Sequence, residues 1–287
     1  MATGSASSRA TIDLHTHTTA SDGLDAPARL VTLAARRGLS VLGITDHDTL
    51  AGLDAAEAAA SAQGITLVPG VELSTTVQGA EVHILGYFVD RHDAAFVERL
   101  ADLAAARVRR VERMIERLHE LGYPVDRDAI LAGAALGSVG RPHVARALMA
   151  IGAADSVTDA FERFLKPGRP AYIPRERFTP EDAVRLLVTH GAVPVLAHPF
   201  STNDVEGTLR RLVPVGLRGL ETYYAEYAPE QHAELRAIAV AWNLVPTGGS
   251  DYHGAGFREG RDLGTAPVPD EVVARLADAH RQMSAAR

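Results

Sequence analysis

The 287-residue sequence contains no cysteine and one lysine, Lys166, so arginine supplies nearly all of its positive charge. The lack of cysteine excludes disulfides, thiolate catalysis and zinc–thiolate or iron–sulfur sites, and it suits a reducing cytoplasm. Lys166 stands in the sequence context of neither a Schiff-base lysine nor a phosphate-loop lysine. No apolar run approaches the ~20 residues that a membrane helix needs, so we expect no membrane contact.

Two further features of the composition concern location and partners. Residues 1–9 are small and polar and lack the apolar core of a secretion signal, so we expect a flexible tail on a cytoplasmic protein. The net charge of −7 argues against broad electrostatic capture of a nucleic-acid backbone, although a local basic groove is compatible with it. The sequence indicates no obligate protein partner.

The chain alternates short apolar runs with alanine-rich helical stretches, except in its middle. Strands are predicted at 10–14, 40–44, 65–71, 81–88, 193–197, 217–222 and 244–247. Residues 91–169 show helical spacing without strands, which predicts a helical insertion, or cap, domain. We therefore predict an α/β fold in which residues 10–90 and 170–287 form a barrel of about seven βα units around a parallel sheet.

Polar side chains cluster at the ends of these predicted strands, where the active sites of α/β barrels lie. His15 and His17 are two residues apart, so they face the same way and can bind one cation together. A single strand histidine is more often a hydrogen-bonded core residue. Here, however, six histidines lie in predicted strands or at their ends, and three acidic residues accompany them. The nine residues are His15, His17, Asp22, His47, Glu72, His83, His198, Asp251 and His253. Burying them without a shared partner would be very costly, so the set predicts a metal cluster.

In this order, the nine residues resemble the metal-binding set of the PHP (polymerase and histidinol phosphatase) superfamily. Four further motifs are similar to its stand-alone branch of 3′,5′-nucleoside bisphosphate phosphatases and 5′→3′ exoribonucleases: Asp13-Leu-His-Thr-His, Ile44-Thr-Asp-His-Asp-Thr, Arg141-Pro-His143 and Pro170-Ala-Tyr172. The resemblance implies a distorted (β/α)7 barrel with a helical insertion and two to three divalent metals, usually manganese, with iron or zinc as alternatives. Ligation by imidazole and carboxylate without sulfur independently fits these metals better than calcium or copper(I).

The resemblance also implies which residues hold which metal. The first metal would be bound by His15, His17, Glu72 and Asp251. Glu72 would bridge to a second metal that is held by His83 and His198. Asp22, His47 and His253 would hold the third.

The insertion carries candidate substrate contacts. Arg141 and His143 open a predicted helix, and they are interpreted either as an exposed helix start or as groups that bind phosphate oxygens and protonate the leaving alcohol. Four arginines share a predicted helix with glutamates, namely 107, 110, 113 and 117. This pattern favours a solvated helix face with salt bridges. The alternative is that one or two of these arginines line a nucleotide pocket. Tyr172 and Tyr223 are candidates for base stacking or for packing at the barrel rim.

These residues predict phosphate ester hydrolysis by a metal-bridging hydroxide, because metals lower the pKa of bound water and neutralise phosphoryl oxygens. The expected substrate is a small phosphorylated nucleotide or a short oligonucleotide. L-Histidinol phosphate is the alternative substrate. A binuclear amidohydrolase is another alternative, although its bridging carboxylated lysine has no counterpart on the predicted strands. A non-catalytic, metal-stabilised module is the alternative of a different class.

Overall fold

A computed structural model describes residues 12–77, 80–132, 138–175 and 178–285 of the chain. The predicted tail at residues 1–9 and the first two residues of the first predicted strand lie outside the described residues. Seven strands form one sheet in chain order. They are β1 (Ile12–Asp13), β2 (Val41–Ile44), β3 (Thr66–Val77), β4 (Ala80–Tyr87), β5 (Val193–Leu196), β6 (Gly219–Tyr224) and β7 (Val245–Gly249).

The first and last strands come together, so the sheet forms a nearly closed barrel. The Leu14 N–H donates to the Gly248 carbonyl at 3.3 Å, and Thr16 pairs with Tyr252 in a parallel bridge just beyond the strand ends. The carboxylate of Asp13 accepts the Ser250 N–H at 2.9 Å and thereby ties β1 to the loop after β7. The predicted α/β barrel of seven strands is confirmed.

One strand departs from the prediction of a parallel sheet. β4 runs antiparallel to both β3 and β5, whereas the other neighbouring pairs are parallel. Only two residues separate β3 from β4, and a parallel crossover needs about a dozen. The two strands therefore form a hairpin, and the reversal brings the start of β4 to the barrel end where the parallel strands finish.

Helices cover the barrel and build the insertion. They are α1 (Pro27–Arg36), α2 (Leu53–Gln63), α3 (Ala94–Glu120), α4 (Arg127–Leu131), α5 (Arg141–Ala150), α6 (Val157–Ala160), α7 (Pro180–Thr189), α8 (Val205–Leu212), α9 (Pro229–Ala241) and α10 (Glu271–Ala285). Thr179 caps α7, because its hydroxyl accepts the Asp182 N–H. Among the described residues, no helix is long and apolar enough to cross a membrane.

Alternate strand residues fill two different layers. Leu85 and Val195 pack with residues of α10 in one buried cluster, whereas their neighbours Ile84 and Leu196 pack with α1, α2 and α7 in another. The Tyr87 hydroxyl reaches from β4 to the Leu14 carbonyl at 3.1 Å, which places the first cluster inside the barrel. The period of two along each strand thus separates the barrel interior from the helical layer.

The long helix α3 belongs to two cores. Phe96 and Leu100, in its first turns, pack against the barrel. Val111, Met114 and Leu118, further along, pack in a third buried cluster together with α4, α5 and α6. This separate cluster supports the predicted division into a barrel and a helical insertion at 91–169, whose boundaries stay a prediction.

We expect Leu118→Ala to lower the free energy of unfolding by about 2–5 kcal/mol, because it leaves a cavity in the core of the insertion. Leu118 is fully buried. The matched control is Leu121→Ala, at a side chain that is 39% exposed, where we expect a change of less than about 1 kcal/mol. Denaturant unfolding followed by circular dichroism gives both values, and equal losses would contradict a packed insertion core.

Candidate metal centre

The nine predicted ligand residues lie together at the mouth of the barrel. They follow β1, β2, β5 and β7 or lie in β3 and β4, and all except His83 and His198, which are partly buried, are buried. Three groups of their donor atoms each lie within 4.8 Å of one another. The first group is His15, His17, Glu72 and Asp251, the second is His47, Glu72 and His83, and the third is His17, Asp22, His47 and His253.

In the first group, two carboxylates face the same two imidazoles. The Oε2 atom of Glu72 lies 3.3 Å from His15 Nε2 and 3.2 Å from His17 Nε2. The Oδ1 atom of Asp251 lies 3.4 and 3.1 Å from the same two nitrogens. In the structure as described, His15 Nε2 and both ring nitrogens of His17 are buried without a hydrogen-bond partner. Unpartnered nitrogens that converge with carboxylates fit a divalent cation.

Glu72 also reaches the second group with its other oxygen. Its Oε1 atom lies 2.8 Å from His83 Nδ1 and 3.1 Å from His198 Nε2. His47 Nδ1 lies 3.1 Å from Oε2, so this imidazole approaches the same carboxylate. The geometry therefore supports a bridging role for Glu72, and it brings His47 closer to the second group than the sequence implied.

The third group surrounds Asp22. His253 Nε2 lies 3.3 Å from Asp22 Oδ1, and His47 Nε2 lies 3.8 Å from Asp22 Oδ2. His17 Nδ1 is also 3.8 Å from this carboxylate, so His17 lies between the first group and the third. All nine predicted residues are brought together, but His17 and His47 are shared between groups.

Outer partners turn the imidazoles toward the cluster. Glu221 contacts His15 Nδ1 at 2.8 Å and accepts the His198 N–H at 2.6 Å. The Asp251 carbonyl lies 2.8 Å from His253 Nδ1. The contacts to His15 and His253 occupy the outer Nδ1 atom and leave Nε2 for the cluster, as is usual around metal-bound histidine. Sequence analysis did not select Glu221, although an acidic residue inside an apolar predicted strand was a usable signal.

Asp46 positions a loop with its carboxylate, and its backbone carbonyl accepts the Glu72 N–H at 3.2 Å. Its carboxylate accepts the Thr18 N–H at 2.8 Å, the Thr18 hydroxyl at 2.7 Å and the Ser21 hydroxyl at 2.6 Å. These three bonds fix the loop that carries Asp22.

Backbone strain concentrates at the same place. Asp48, His198 and Asp251 have φ values of 53°, 27° and 53°, in the left-handed region that non-glycine residues rarely adopt. Such conformations persist where the surrounding structure enforces them, commonly at functional sites. Here they turn the chain sharply as it leaves β2, β5 and β7, so that the adjacent side chains point into the mouth.

The electrostatics of the cluster favour cations. Burial would raise the pKa of Glu72, but the imidazoles of His47 and His83 hold it well below its usual range. Burial would lower the pKa of His17, but Asp251 and Glu72 raise it to about 10. The carboxylates therefore stay ionised and attract positive charge. Burial lowers the pKa of His47 to about 3, so this imidazole stays neutral, the form that binds metal.

Arg141 and His143, the two predicted substrate contacts of the insertion, have different surroundings. Arg141 lines the cavity above the cluster, pairs with Glu81 and lies over the Phe161 ring at 5.0 Å. His143 instead accepts the Gly140 N–H at 3.2 Å and caps its own helix. Burial lowers the pKa of His143 to about 4, so its ring is neutral at neutral pH and is a poor general acid. The geometry thus supports the structural interpretation for His143 and the functional one for Arg141.

The prediction of a solvated arginine face on α3 is wrong for two residues. Arg107 and Arg110 are buried and line the cavity, whereas Arg113 and Arg117 are exposed as predicted. Arg107 donates to Asp48 Oδ2 at 2.5 Å and to the Ser74 hydroxyl at 2.9 Å. The helix crosses the barrel mouth, so its inner face meets carboxylates of the site.

A cavity of about 610 Å³ lies between the barrel mouth and the insertion. Aromatic side chains line it: Phe161, Phe200, Tyr224, Tyr227 and Phe257. The Tyr224 hydroxyl donates to Asp251 Oδ2 at 2.9 Å. The predicted candidate Tyr223 packs on the opposite face of β6, because neighbouring strand residues point to opposite sides. Tyr172 packs beside the Arg110 guanidinium, 5.8 Å from it.

Comparison with known proteins agrees with this site. Residues 13–119 match the PHP domain family. A 5′-3′ exoribonuclease of Escherichia coli is 35% identical over 84% of this chain and 84% of its own length. The chain belongs to the PHP family. A 3′,5′-nucleoside bisphosphate phosphatase of Chromobacterium violaceum is 32% identical over 93% of this chain and 98% of its own.

A solved structure supports the same relationship. A protein of Bifidobacterium adolescentis described as a metal-dependent phosphoesterase superposes with a TM-score of 0.85 and 33% identity, covering 93% of this chain and 96% of that protein. The PHP-family chain is therefore a metal-dependent phosphoesterase, a hydrolase of ester bonds. Its barrel mouth holds three groups of side chains that are able to bind metals.

We expect Glu72→Gln to lower the divalent metal content by about two ions per chain, because one carboxylate serves two of the groups. Metal analysis of purified protein by plasma mass spectrometry gives the number. The control is Glu98→Gln, at an exposed position on α3, which should keep the wild-type content. Wild-type metal content in Glu72→Gln would contradict the shared carboxylate.

Proposed function

We propose that this phosphoesterase hydrolyses the 3′-phosphate of nucleoside 3′,5′-bisphosphates and also acts at the 5′ ends of short RNA. One observation carries the proposal: the clustered imidazoles and carboxylates open onto a cavity whose lining also includes several guanidinium and aromatic side chains. Guanidinium groups suit phosphate oxygens, and aromatic rings suit a nucleobase. The activities named for the Escherichia coli and Chromobacterium violaceum relatives support the same substrate class.

The nine residues at the barrel mouth would hold two to three divalent ions, with manganese preferred and iron or zinc as alternatives. Such ions, when bound, lower the pKa of water toward neutrality and neutralise phosphoryl oxygens. The chain supplies the orientation. Glu221 fixes the His15 ring, and the Tyr224 hydroxyl and the Arg261 guanidinium together hold Asp251.

The insertion would provide the substrate contacts. Arg141 reaches into the cavity beside His83, because both side chains approach Glu81. A phosphate at the second group would therefore lie within reach of the Arg141 guanidinium. Phe161 of the insertion and Phe257 of the barrel line the same cavity and offer ring faces to a base.

The same lining disfavours the alternative substrate, L-histidinol phosphate. That molecule carries one phosphate and a cationic amine, whereas arginines 107, 110, 141 and 175 on the cavity wall suit a substrate with more anionic groups. The amidohydrolase alternative lacks its bridging lysine, because Lys166 lies in the insertion and pairs with Glu162. Glu72 occupies the bridging position instead. The non-catalytic alternative does not fit the hydrolase relatives.

Phosphate release tests the substrate assignment directly. We expect faster turnover of adenosine 3′,5′-bisphosphate than of L-histidinol phosphate in a side-by-side assay with Mn²⁺. Release of mononucleotides from a short 5′-phosphorylated oligoribonucleotide should also be measurable. Preference for L-histidinol phosphate would overturn the proposal.

We expect Arg141→Met to lower kcat/KM for adenosine 3′,5′-bisphosphate by about 10- to 100-fold, the range for a charged hydrogen bond to substrate. The loss should fall mainly on KM, because Arg141 binds phosphate and does not transfer a proton. Arg113→Met, at an exposed position of α3, is the matched control and should match the wild-type enzyme. Wild-type kinetics for Arg141→Met would leave Arg141 with a structural role only.

A further inference from the structure

The loop that carries Asp22, residues 18–25, lies between the barrel mouth and the insertion. The barrel fixes both ends of this loop. At one end, the Asp46 carboxylate accepts the N–H and the hydroxyl of Thr18. At the other end, the Leu24 N–H donates to a backbone carbonyl after β7 at 2.7 Å. Carbonyl groups in the middle of the loop face the insertion.

The insertion donates two hydrogen bonds to the middle of this loop. The Ser138 N–H, three residues before α5, donates to the Ala20 carbonyl at 2.8 Å. The Arg146 guanidinium, on α5, donates to the Asp22 carbonyl at 3.1 Å. Ser138 is buried and Arg146 is partly buried, so the two bonds are shielded from much of the solvent. The position of Asp22 therefore depends on the insertion as well as on the barrel.

Asp22 differs in this respect from the other ligand candidates. Within the part of the chain that the structure describes, it is the one candidate of the nine that accepts a hydrogen bond from the insertion. Its carboxylate also lacks the close contacts of the other two. Glu72 lies 2.8 Å from a nitrogen of His83, and a tyrosine hydroxyl donates to Asp251 at 2.9 Å. Asp22 lies 3.3 Å from its nearest imidazole nitrogen, on His253, so its orientation depends more on its backbone.

We infer that the insertion completes the third group of the metal centre, with Arg146 as the positioning residue for Asp22. A charged donor on the Asp22 carbonyl fixes the peptide from which the carboxylate projects. Outer contacts that orient ligands typically change metal affinity by about 10- to 100-fold. Asp22 belongs to the third group alone, whereas His17 and His47 are shared. Loss of the Arg146 contact should therefore weaken the binding of one ion and spare the others.

Equilibrium dialysis against a series of Mn²⁺ concentrations, read by plasma mass spectrometry, tests this role without any substrate. We expect Arg146→Met to raise the dissociation constant of one ion per chain by about 10- to 100-fold and to leave the other ions at wild-type affinity. Asp22→Asn is the reference, because it removes a ligand of the third group alone and so identifies the ion of that group. Arg146→Lys should lose less, since it keeps a charged donor.

Arg163→Met is the matched control and should bind Mn²⁺ like the wild type. Arg163 also donates to a backbone carbonyl, that of Ala153 at 2.8 Å, but this carbonyl belongs to the insertion itself. The control therefore separates the contact with the Asp22 loop from the loss of an arginine in the same domain.

Three results would overturn the role of Arg146. The first is wild-type or tighter affinity for the Asp22-dependent ion in a folded Arg146→Met protein. The second is an equal loss of affinity for every ion, and the third is wild-type binding of all ions in Asp22→Asn. If circular dichroism shows that Arg146→Met does not fold, Arg146→Lys decides: weaker binding of that one ion supports the role, and wild-type binding overturns it. Because no substrate is present, the proposed phosphate release stands or fails separately.

Discussion

The Glu72 carboxylate is the contact on which the site depends. Its two oxygens approach imidazoles that come from four different parts of the barrel: His15 and His17 after β1, His47 after β2, His83 in β4 and His198 after β5. These side chains meet only if the sheet curves far enough to bring β1 to β7 and if β4 runs backwards. The nearly closed barrel and its reversed strand are thus conditions for the site to exist.

That convergence is expensive without cations. Buried imidazoles and carboxylates lose the water that solvated them, and several ring nitrogens of the cluster lack any hydrogen-bond partner within the described residues. Ions that bind only the folded chain offset this unfavourable free energy of burial and stabilise the barrel by mass action. The strained backbone at Asp48, His198 and Asp251 adds to it. The arrangement of side chains for metal binding therefore lowers the stability of the barrel mouth when no ion is bound.

The sequence predicted the nine residues because their signal was local. Each follows or lies within an apolar run, and strand ends in α/β barrels define one face of the molecule. His83 reached this face for a different reason, since β4 is reversed and the residue lies near its start. The spacing of the apolar runs did not reveal the hairpin, because a short strand looks the same in either direction. For Tyr223 the structure favours the packing alternative, whereas its neighbour Tyr224, which was not selected, faces the site.

The missed residues act through contacts that cross the chain. Arg107 on α3 meets Asp48 after β2, a pairing of residues 59 positions apart that no local pattern encodes. The alternation of arginine and glutamate on α3 is typical of a solvated helix, and only the path of the helix across the barrel mouth makes its inner face part of the cavity. Glu221 could have been found from the sequence, because a charged residue within an apolar predicted strand differs from its neighbours.

The implied assignment of ligands to separate metals stays a prediction, and the geometry adds one feature to it. The implied pattern gave His17 to one ion and His47 to another, whereas each imidazole lies between two groups in the structure. Glu72 is shared in the same way. Cations in adjacent groups would repel each other, and shared carboxylates and imidazoles reduce that repulsion by lying between them. We therefore expect one connected cluster whose parts bind metal interdependently, so that substitution of a shared residue would affect more than one ion.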